Sequence, residues 1–442
     1  MKKSTWIILI LVVFLAIFFK GFRLGERYTF DWDQSDDALK TMSMIWDKKP
    51  ALIGPRVASE NGFFVGPFHY YLLLPFYIST QGHPLAGAYF MIVVSVATVL
   101  AYFFVGRNIY NEKVGLVAAF IAAISTSVNS WNAIYIPLFS ILGFFLCLKQ
   151  LESDKYFYWL VILSGLSATT HLVPASLVPL ALFSIFLSAR KPGWKKLLKG
   201  LAIFGLFFLP IIVFDLRHQF LNVNKLFEFI FSQNVTGEAS FNRWLFLRSF
   251  WRSLTIFDGF KAIGTPLLEY LFALISLVYG IFRHKSSRSK WFTFLWLVFP
   301  LLIMSKYKGN IPEYYFGMVG GLLPLFISIL LIDLLPIWLV GIFGIFLFYI
   351  QFKVIKGVRP TITLKDKEAV VTYIAKTQKT DPVFNVSYNL PLGTNNGYQF
   401  LFKLYRHEPV SGPEGHLYTI SDTVYPKDNV VFKTGSLYVI RR

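Results

Sequence analysis

The sequence has few charged residues and a single cysteine. Only 15% of its 442 residues are Asp, Glu, Lys or Arg, whereas soluble domains carry about 25%. Cys147 lies inside an apolar run and has no second cysteine with which to form an intrachain disulfide. The low charge excludes an ordinary soluble enzyme, and the lone thiol excludes both a disulfide scaffold and dithiol redox chemistry.

Motifs for nucleotides and structural metals are missing as well. The sequence has no P-loop, no dinucleotide-binding fingerprint, no nucleophile elbow and no paired-cysteine zinc site. Nucleoside triphosphates are scarce outside the cell, so an enzyme acting there needs another activated substrate. A lipid-linked donor would meet that need.

Long apolar runs make up most of the chain, and 55% of the residues are hydrophobic. A helix needs about 20 apolar residues to cross about 30 Å of hydrocarbon. The first run follows Lys2 and Lys3, and it lacks a small-x-small cleavage site, which predicts an uncleaved helix with its N-terminus in the cytoplasm. About eleven transmembrane helices are predicted, over residues 6–19, 85–105, 114–128, 132–149, 157–169, 172–189, 199–214, 266–282, 291–305, 314–333 and 336–352.

The distribution of positive charge supports this topology. Lys and Arg concentrate in alternate connectors, and the short connectors at 127–131 and 170–171 contain neither. The positive-inside rule therefore assigns the basic connectors to the cytoplasm. The net charge of +19 is a topology signal on this interpretation, so nucleic acid is not an expected partner. We expect a multi-pass plasma-membrane protein with three longer segments outside: 20–84, 215–265 and 353–442.

The C-terminal segment differs from the rest. We predict a transmembrane domain at 1–352 and a small soluble α+β domain outside the membrane at 353–442. The pattern of residues 366–379 predicts an amphipathic helix, and Asn395-Asn396-Gly397 predicts a turn. Strands are predicted at 382–390, 398–405, 417–420 and 429–440.

An acidic cluster follows the first predicted span. It comprises Asp31, Asp33, Asp36 and Asp37, followed by a stretch with the apolar spacing of an interfacial helix. Carboxylates that lie together must be offset by cations, a metal or raised pKa values. The cluster is either a solvated acidic loop or a catalytic site.

Further polar side chains fall on the same predicted face. A polar residue at membrane depth is a candidate functional residue, although packing, helix capping, snorkelling and interfacial anchoring are alternative roles. These candidates are His69, His171, Asp215, Arg217, His218, Lys306, Lys308, Glu313 and Tyr314.

Two short motifs and the architecture resemble the C-type membrane glycosyltransferases that use polyprenyl-phosphate sugars, especially protein O-mannosyltransferases and lipid A aminoarabinose transferase. The family's Asp-Glu motif, followed by Ala-x-Tyr-Ala, is similar to Asp33-Gln34-Ser35-Asp36-Asp37-Ala38. Its Pro-Pro-Leu-Tyr-Tyr-like segment is similar to Gly66-Pro67-Phe68-His69-Tyr70-Tyr71. The third point of similarity is about eleven spans with a soluble C-terminal domain outside.

The resemblance implies a hexosyl or pentosyl transferase of the cell envelope that uses a lipid-linked donor. On this resemblance, an acceptor on a glycan, lipid or protein attacks the anomeric carbon of the sugar, and the configuration inverts. The base is Asp33, Asp36 or Asp37, and our first choice is Asp33. Basic side chains or a divalent metal cation stabilise the leaving phosphate. The implied substrate-binding residues are Gln34, Arg56, His69, Tyr70, Tyr71, His171, Arg217, His218, Lys306, Lys308, Glu313 and Tyr314.

This sequence departs from the family at two positions. Gln34 stands where the family usually has Glu, so a second carboxylate must come from Asp36 or Asp37. Gly66 stands where some members have a charged residue that contacts phosphate or metal. Arg56, Arg217, Lys306 or Lys308 would then supply the phosphate contact.

Two other functions are compatible with the sequence. A cell-surface polysaccharide polymerase or ligase would carry essential Arg and His residues in a late outside loop, as 215–265 does with Arg217, His218, Arg243, Arg248 and Arg252. A lipid or polysaccharide transporter would show repeated halves and broken helices at the midplane. The sequence shows no such symmetry.

Overall fold

The computed structural model describes residues 2–57, 62–231, 242–305, 307, 311–377, 383–410 and 415–442. The chain begins with the long apolar helix α1 (Lys3–Gly21) and the single turn α2 (Leu24–Arg27). Two helices then pack against each other, α3 (Trp32–Trp46) and α4 (Phe68–Ser79). The acidic cluster thus lies on and just before a helix.

The central part of the chain is helical throughout. Three short 3₁₀ turns occur within it, at Asn132–Tyr135, Asp154–Tyr156 and Glu313–Phe316. Its α-helices are α5 (Ala86–Ile109), α6 (Glu112–Ala123), α7 (Ile136–Glu152), α8 (Phe157–Thr170), α9 (Leu172–Ala175), α10 (Leu177–Leu187), α11 (Trp194–Arg217), α12 (Leu221–Phe231), α13 (Arg243–Ser253), α14 (Asp258–Ala262), α15 (Pro266–Arg283), α16 (Ser287–Met304), α17 (Gly317–Gly320), α18 (Leu323–Leu334) and α19 (Ile337–Gly357).

Every predicted apolar run contains helix, although the run at 114–128 is helical only as far as Ala123, and the chain is a multi-pass membrane protein. Six helices in the described part are long and apolar enough to cross a membrane: α1, the segment Asn132–Glu152 with α7, α5, α11, α15 and α19. A seventh crossing results if the bent pair Glu313–Gly320 and Leu323–Leu334 forms one span. Other runs form shorter helices, such as α6 with 12 residues and α8 with 14. The number of eleven spans and the sidedness stay predictions.

Small residues let α5 and α6 pack closely. A Cβ atom at Gly106 would lie 2.8 Å from the Cα of Gly115 on the facing helix. Glycine at both positions therefore allows the two backbones to touch, as is common between helices in membranes. The larger core cluster that these helices share with α7, α15, α16 and α18 includes the buried side chains of Phe144, Trp296 and Phe326.

The C-terminal residues form two helices and one sheet. These elements are α20 (Leu364–Thr377), β1 (Phe384–Asn389), α21 (Tyr398–Leu404), β2 (His416–Ser421), β3 (Val430–Thr434) and β4 (Leu437–Arg441). The strand order is β1-β2-β4-β3, with β1 parallel to β2 and the other pairs antiparallel. The α+β prediction is confirmed, while the domain boundary at 352/353 stays a prediction.

Two of the predicted strands need correction. Residues 398–405 were predicted as a strand, but Tyr398–Leu404 is the helix α21. The helix begins directly after Gly397, whose φ of 92° ends the preceding turn, and it buries Tyr398, Leu401 and Phe402 at the i, i+3, i+4 spacing of one helical face. Residues 429–440 form two strands, because Gly435 at φ 51° turns the chain into a hairpin.

Candidate active site

Helix α3 exposes Asp33 and Asp36 on one side and buries its other side, which includes Asp37. The backbone N–H of Asp31 donates to Oε1 of Gln34 over 3.0 Å, which fixes the first turn. Ser35, Ala38 and Met42 recur at helical spacing and are buried. Gln34 was predicted to bind substrate; the structure buries it and engages its amide oxygen in this first turn.

Asp37 belongs to a buried chain of hydrogen bonds. Its Oδ2 lies 2.8 Å from Nε2 of His69, and Nδ1 of the same ring lies 2.9 Å from the Tyr135 hydroxyl. His69 is completely buried, and Asp37 and Tyr135 are nearly so. The second motif of the sequence thus supplies the partner that offsets the Asp37 carboxyl. Asp37 is a positioned group and not a freely accessible base.

Asp33 and Asp36 are the accessible carboxylates of α3. Although both reach solvent, the surrounding protein removes part of their hydration. Desolvation, followed by the charges of Asp37 and Asp36, raises the pKa of Asp33 to about 6, and His69 opposes the shift. Desolvation and Asp37 also raise the pKa of Asp36. A carboxylate whose pKa lies near the working pH is suited to general-base catalysis.

The described part of the chain contains a cavity of about 620 Å³, within the range of small-molecule binding sites. Trp131 and Tyr314 line it, and their rings meet edge to face at 4.7 Å between centroids. Tyr314 also interacts electrostatically with Asp33. This tyrosine therefore connects the cavity with the acidic cluster.

One wall of the cavity begins at the end of α1. Lys20 lines the cavity, and its Nζ donates to the Ser127 carbonyl over 2.7 Å and to Oγ of Ser125 over 3.2 Å. Between these two residues, the Thr126 hydroxyl donates to the Asp258 carboxylate. The polar groups of this wall are thus held by the connector between α6 and α7.

The short helix α14, which begins with Asp258, is held by hydrogen bonds from its backbone and from the two residues before it to buried side chains of two neighbouring helices. Oε1 of Glu269 accepts hydrogen bonds from the backbone N–H groups of Ile256 and Phe257, over 2.8 and 2.7 Å. Oε1 of Gln351 accepts from the N–H of Gly259 over 2.7 Å. Buried side chains of α15 and α19 therefore set the position of this part of the cavity wall.

Two exposed cations complete this wall. Arg252 at the end of α13 and Lys261 in α14 both line the cavity. Neither takes part in an ion pair in the described part of the chain, whereas Glu313 and Asp258 supply the acidic groups of the lining. With Lys20, three cations face two carboxylates, so the cavity is suited to an anionic group.

The predicted aromatic residues of the second motif lie in α4. Tyr70 is buried, and desolvation together with the charges of Asp37, Asp36 and Asp33 raises the pKa of its phenol. The Tyr71 hydroxyl donates to the Ala51 carbonyl over 2.8 Å. Tyr70 is therefore next to the acidic cluster, while Tyr71 fastens the preceding loop.

The structure separates the remaining predicted residues into two groups. His171 packs against Trp131 and Tyr314, with its Nδ1 accepting from the Val173 N–H over 3.1 Å, and so lies near the cavity with Glu313 and Tyr314. Three others do not line the cavity: Arg56, stacked 4.8 Å over the Phe64 ring; Arg217; and His218, stacked on Phe214 at 4.1 Å. The two lysines, Lys306 and Lys308, lie outside the described residues.

Several residues of the site were not predicted from the sequence. Tyr135 and Trp131 stand in a short connector that looks unremarkable without its tertiary contacts. Lys20, a buried lysine at the end of an apolar helix, carried a signal, because such a charge needs partners. Lys261 stands among many basic residues and carried none.

The described residues do not form a metal site of the usual kind. No group of three or more His, Cys, Asp or Glu side chains lies close enough together in this part of the chain to hold a metal ion. Asp37, the most buried carboxylate of the acidic cluster, is already hydrogen-bonded to His69. The donor set thus does not fit the divalent cation that the resemblance allows.

Comparison with known proteins identifies the fold. No family model and no curated protein match the chain. The structure of ArnT from Cupriavidus metallidurans bound to undecaprenyl phosphate is similar over 100% of this chain and 98% of that chain, with a TM-score of 0.62 and 13% identity.

A second similar protein is the oligosaccharyltransferase of Archaeoglobus fulgidus, solved in a complex with Zn and sulfate. It matches 92% of this chain and 62% of its own chain, with a TM-score of 0.54 and 12% identity. The archaeal oligosaccharyltransferase AglB, in complex with an inhibitory peptide and a dolichol-phosphate, gives a TM-score of 0.53 at 12% identity, covering 93% of this chain and 65% of that one. The chain therefore has the fold of the C-type membrane glycosyltransferases, as its two short motifs predicted.

Proposed function

We propose that this protein transfers a sugar from a polyprenyl-phosphate donor to an acceptor on the non-cytoplasmic face of the membrane. The observation that carries the proposal is the link that Tyr314 makes between two features: Asp33, an accessible carboxylate with a raised pKa, and a cavity lined by three basic and two acidic side chains. Structures of the same fold hold undecaprenyl phosphate and dolichol-phosphate. A base and a site for an anion are what this reaction needs.

The acidic helix α3 supplies the base. An acceptor hydroxyl or amine attacks the anomeric carbon of the sugar, and its proton passes to the Asp33 carboxylate. The new bond to the anomeric carbon forms as the bond from that carbon to the phosphate oxygen breaks. The electron pair leaves with the polyprenyl phosphate, and the configuration at the anomeric carbon inverts.

The basic wall binds the phosphate. Arg252 and Lys261 are long, exposed and not engaged in ion pairs in the described part of the chain. They attract the donor phosphate and stabilise the additional negative charge that it carries on departure. Lys20 adds a hydrogen-bond donor at a fixed position, because Ser125 and Ser127 hold its Nζ.

The location follows from topology. With the N-terminus in the cytoplasm, the end of α1, the acidic helix and the C-terminal domain lie outside, in the plasma membrane and cell envelope. The prenyl chain would lie among membrane lipids, and the acceptor is a glycan, lipid or protein, with protein glycosylation one form of the reaction. A polymerase or ligase also needs a cationic outside loop, and Arg252 is the one of the five Arg and His residues named for that loop which lines the cavity.

The first test is an Asp33→Asn variant. It removes the base without changing the size of the side chain, so transfer is expected to fall by about 100-fold to 10,000-fold. The measurement is transfer of radiolabelled sugar from a panel of undecaprenyl-phosphate sugars in membranes of the source cells, at equal expression. Binding of undecaprenyl phosphate to the purified protein is measured in parallel.

Asp47→Asn is the matched control, because Asp47 is exposed at the other end of α3. We expect this control to retain transfer and both variants to retain lipid binding. If the Asp33→Asn variant transferred sugar at the rate of the unaltered protein, Asp33 would not be the base. A wild-type protein that neither binds undecaprenyl phosphate nor transfers from any donor would contradict the proposed function itself.

A further inference from the structure

The C-terminal domain holds a completely buried lysine, and two of its three partners lie at the start of the acidic helix. Nζ of Lys367, in α20, lies 2.7 Å from Oδ1 of Asp31 and donates to the Phe30 carbonyl over 3.2 Å and to the Asn396 carbonyl over 2.8 Å. An ammonium group has three donors, so these three acceptors satisfy it. Burial lowers the pKa of Lys367, and the Asp31 charge opposes that shift.

The backbone around this lysine is tightly constrained. Phe30 has a φ of 53°, an uncommon value for a residue other than glycine. A Cβ atom at Gly397 would lie 2.7 Å from the Phe30 carbonyl oxygen, so the 395–397 turn packs directly on this residue. Just before it, the Leu364 N–H donates to the Tyr28 carbonyl over 2.8 Å. The C-terminal domain therefore fixes the chain immediately before α3.

The same domain also contacts the other end of α3. The Phe400 ring packs against Phe30 at 5.4 Å and against Trp46 at 6.0 Å between centroids. The ammonium of Lys403 lies 4.8 Å over the Trp46 ring. Trp46 is the last residue of α3 and Phe30 comes two residues before its first, so α20 and α21 hold both ends of the helix.

We propose that the C-terminal domain positions the acidic helix for catalysis, and that Lys367 is the positioning residue through which it does so. This inference rests on the proposed function, because it concerns the same carboxylates. Asp33 must lie within hydrogen-bond reach of the acceptor. Lys367 does not touch the cavity, so its effect passes through Phe30 and Asp31 to the first turn of α3.

The test uses Lys367→Met in the full-length protein, a substitution that keeps an unbranched apolar side chain in the buried site. A misplacement of about 1 Å at a reacting group can cost about 100-fold in rate. We therefore expect kcat to fall by about 10-fold to 100-fold, while binding of undecaprenyl phosphate stays unchanged. The acid limb of the kcat–pH profile is expected to move to lower pH, because a loosened α3 gives Asp33 more water.

The groups facing Asp33 come from three elements: Asp36 and Asp37 on α3, His69 and Tyr70 on α4, and Tyr314. None of these is altered in Lys367→Met. A change in the acid limb would therefore report a change in the placement of α3.

Val439→Ala is the matched control for lost stability. Val439 is buried in β4 of the same domain. A comparable fall in Tm with unchanged kcat and pH profile is expected for this variant. If Val439→Ala loses as much kcat as Lys367→Met, the effect of Lys367 is loss of stability and the positioning role is refuted.

A second readout does not depend on sugar transfer. Spin labels at Lys40→Cys in α3 and Lys113→Cys in α6 report the distance between the acidic helix and the membrane domain; both positions are exposed, and the native Cys147 is buried. The distance distribution is expected to broaden in Lys367→Met and to stay narrow in Val439→Ala. A distribution as narrow as that of the unaltered protein would overturn the inference, even if Asp33→Asn had already disproved the proposed function.

Discussion

The acidic helix α3 and the basic wall of the cavity are built differently. At the acidic helix, Asp37, His69 and Tyr135 are buried and joined by hydrogen bonds of 2.8 and 2.9 Å. On the basic wall of the cavity, Arg252 and Lys261 are exposed and lie on short helices. The acidic helix is fixed by packing, and the basic wall can adjust to what it binds.

This difference matches the two tasks of a glycosyl transfer. Proton transfer requires a base held within a few tenths of an ångström, which packed and hydrogen-bonded neighbours provide. Neutralising a phosphate requires charge, and long side chains can deliver it over a range of positions. Changes at the acidic helix are therefore expected to lower kcat, whereas changes on the basic wall of the cavity are expected to weaken donor binding.

Among changes that leave Asp33 in place, the largest effect is expected when the buried chain of hydrogen bonds is broken. His69→Leu removes both bonds of the ring and leaves Asp37 buried without its partner, at a cost of about 1–3 kcal/mol in the free energy of unfolding. Because Asp37 and Asp33 share one helix, we expect kcat to fall by about 100-fold. Thermal unfolding and sugar transfer at saturating donor are the measurements.

Tyr135→Phe is the matched control on the same chain of hydrogen bonds. It removes one hydroxyl and leaves the bond between Asp37 and His69 intact, so the free energy of unfolding should fall by only about 1 kcal/mol. Its kcat should stay close to that of the unaltered protein. Equal losses of kcat in the two variants would show that the link to Asp37 is not what matters.

A smaller effect, of another kind, is expected on the basic wall. Arg252→Gln removes a charge that we propose to contact the donor phosphate, and a charge-assisted hydrogen bond contributes about 1.5–3 kcal/mol. We expect the Kd for undecaprenyl phosphate to rise by about 10-fold or more, while kcat at saturating donor falls much less. Tryptophan fluorescence or native mass spectrometry of the purified protein measures the Kd.

Lys195→Gln is the control for Arg252→Gln, because Lys195 is an exposed cation on the connector predicted to face the cytoplasm. This variant should bind undecaprenyl phosphate like the unaltered protein. An Arg252→Gln variant that keeps its Kd and loses kcat would contradict this division of tasks between the acidic helix and the basic wall.

Much of the fold could be predicted from the sequence, because the bilayer imposes a simple pattern. Helices in lipid must satisfy their own backbone, so the apolar runs identified the long helices of the central part. The strand prediction for residues 398–405 was wrong because their aromatic pattern fits either a strand or one buried helical face. Only the position of Gly397, at φ 92°, decides between the two.

The site was predictable only in part. The acidic cluster and His69 were recognised as local motifs, yet the bond between Asp37 and His69 spans 32 residues of sequence, and that between Asp31 and Lys367 spans 336. No short-range pattern encodes such contacts. Among many basic residues, the sequence could not single out Lys261 for the cavity or Lys367 for the acidic helix, because both choices depend on tertiary packing.

The smallest effect concerns the pH dependence of transfer, which tests the ionisation of Asp33 on the acidic helix. Asp33 must be ionised to accept a proton, and its pKa is raised to about 6. Transfer should therefore fall as pH drops through about 6 and be nearly constant above 7. The kcat–pH profile at saturating donor measures this limb.

Asp36→Asn tests the cause of that raised pKa. The Asp36 charge raises the pKa of Asp33, after desolvation and Asp37, so removing it should move the acid limb to lower pH by less than about one pH unit. Asp47→Asn, at the far end of α3, should leave the limb in place. A limb that moves equally in both variants would mean that the overall negative charge of the helix sets the pKa. A limb that moves only in Asp36→Asn would show that the close grouping of carboxylates keeps Asp33 ready to accept a proton near neutral pH.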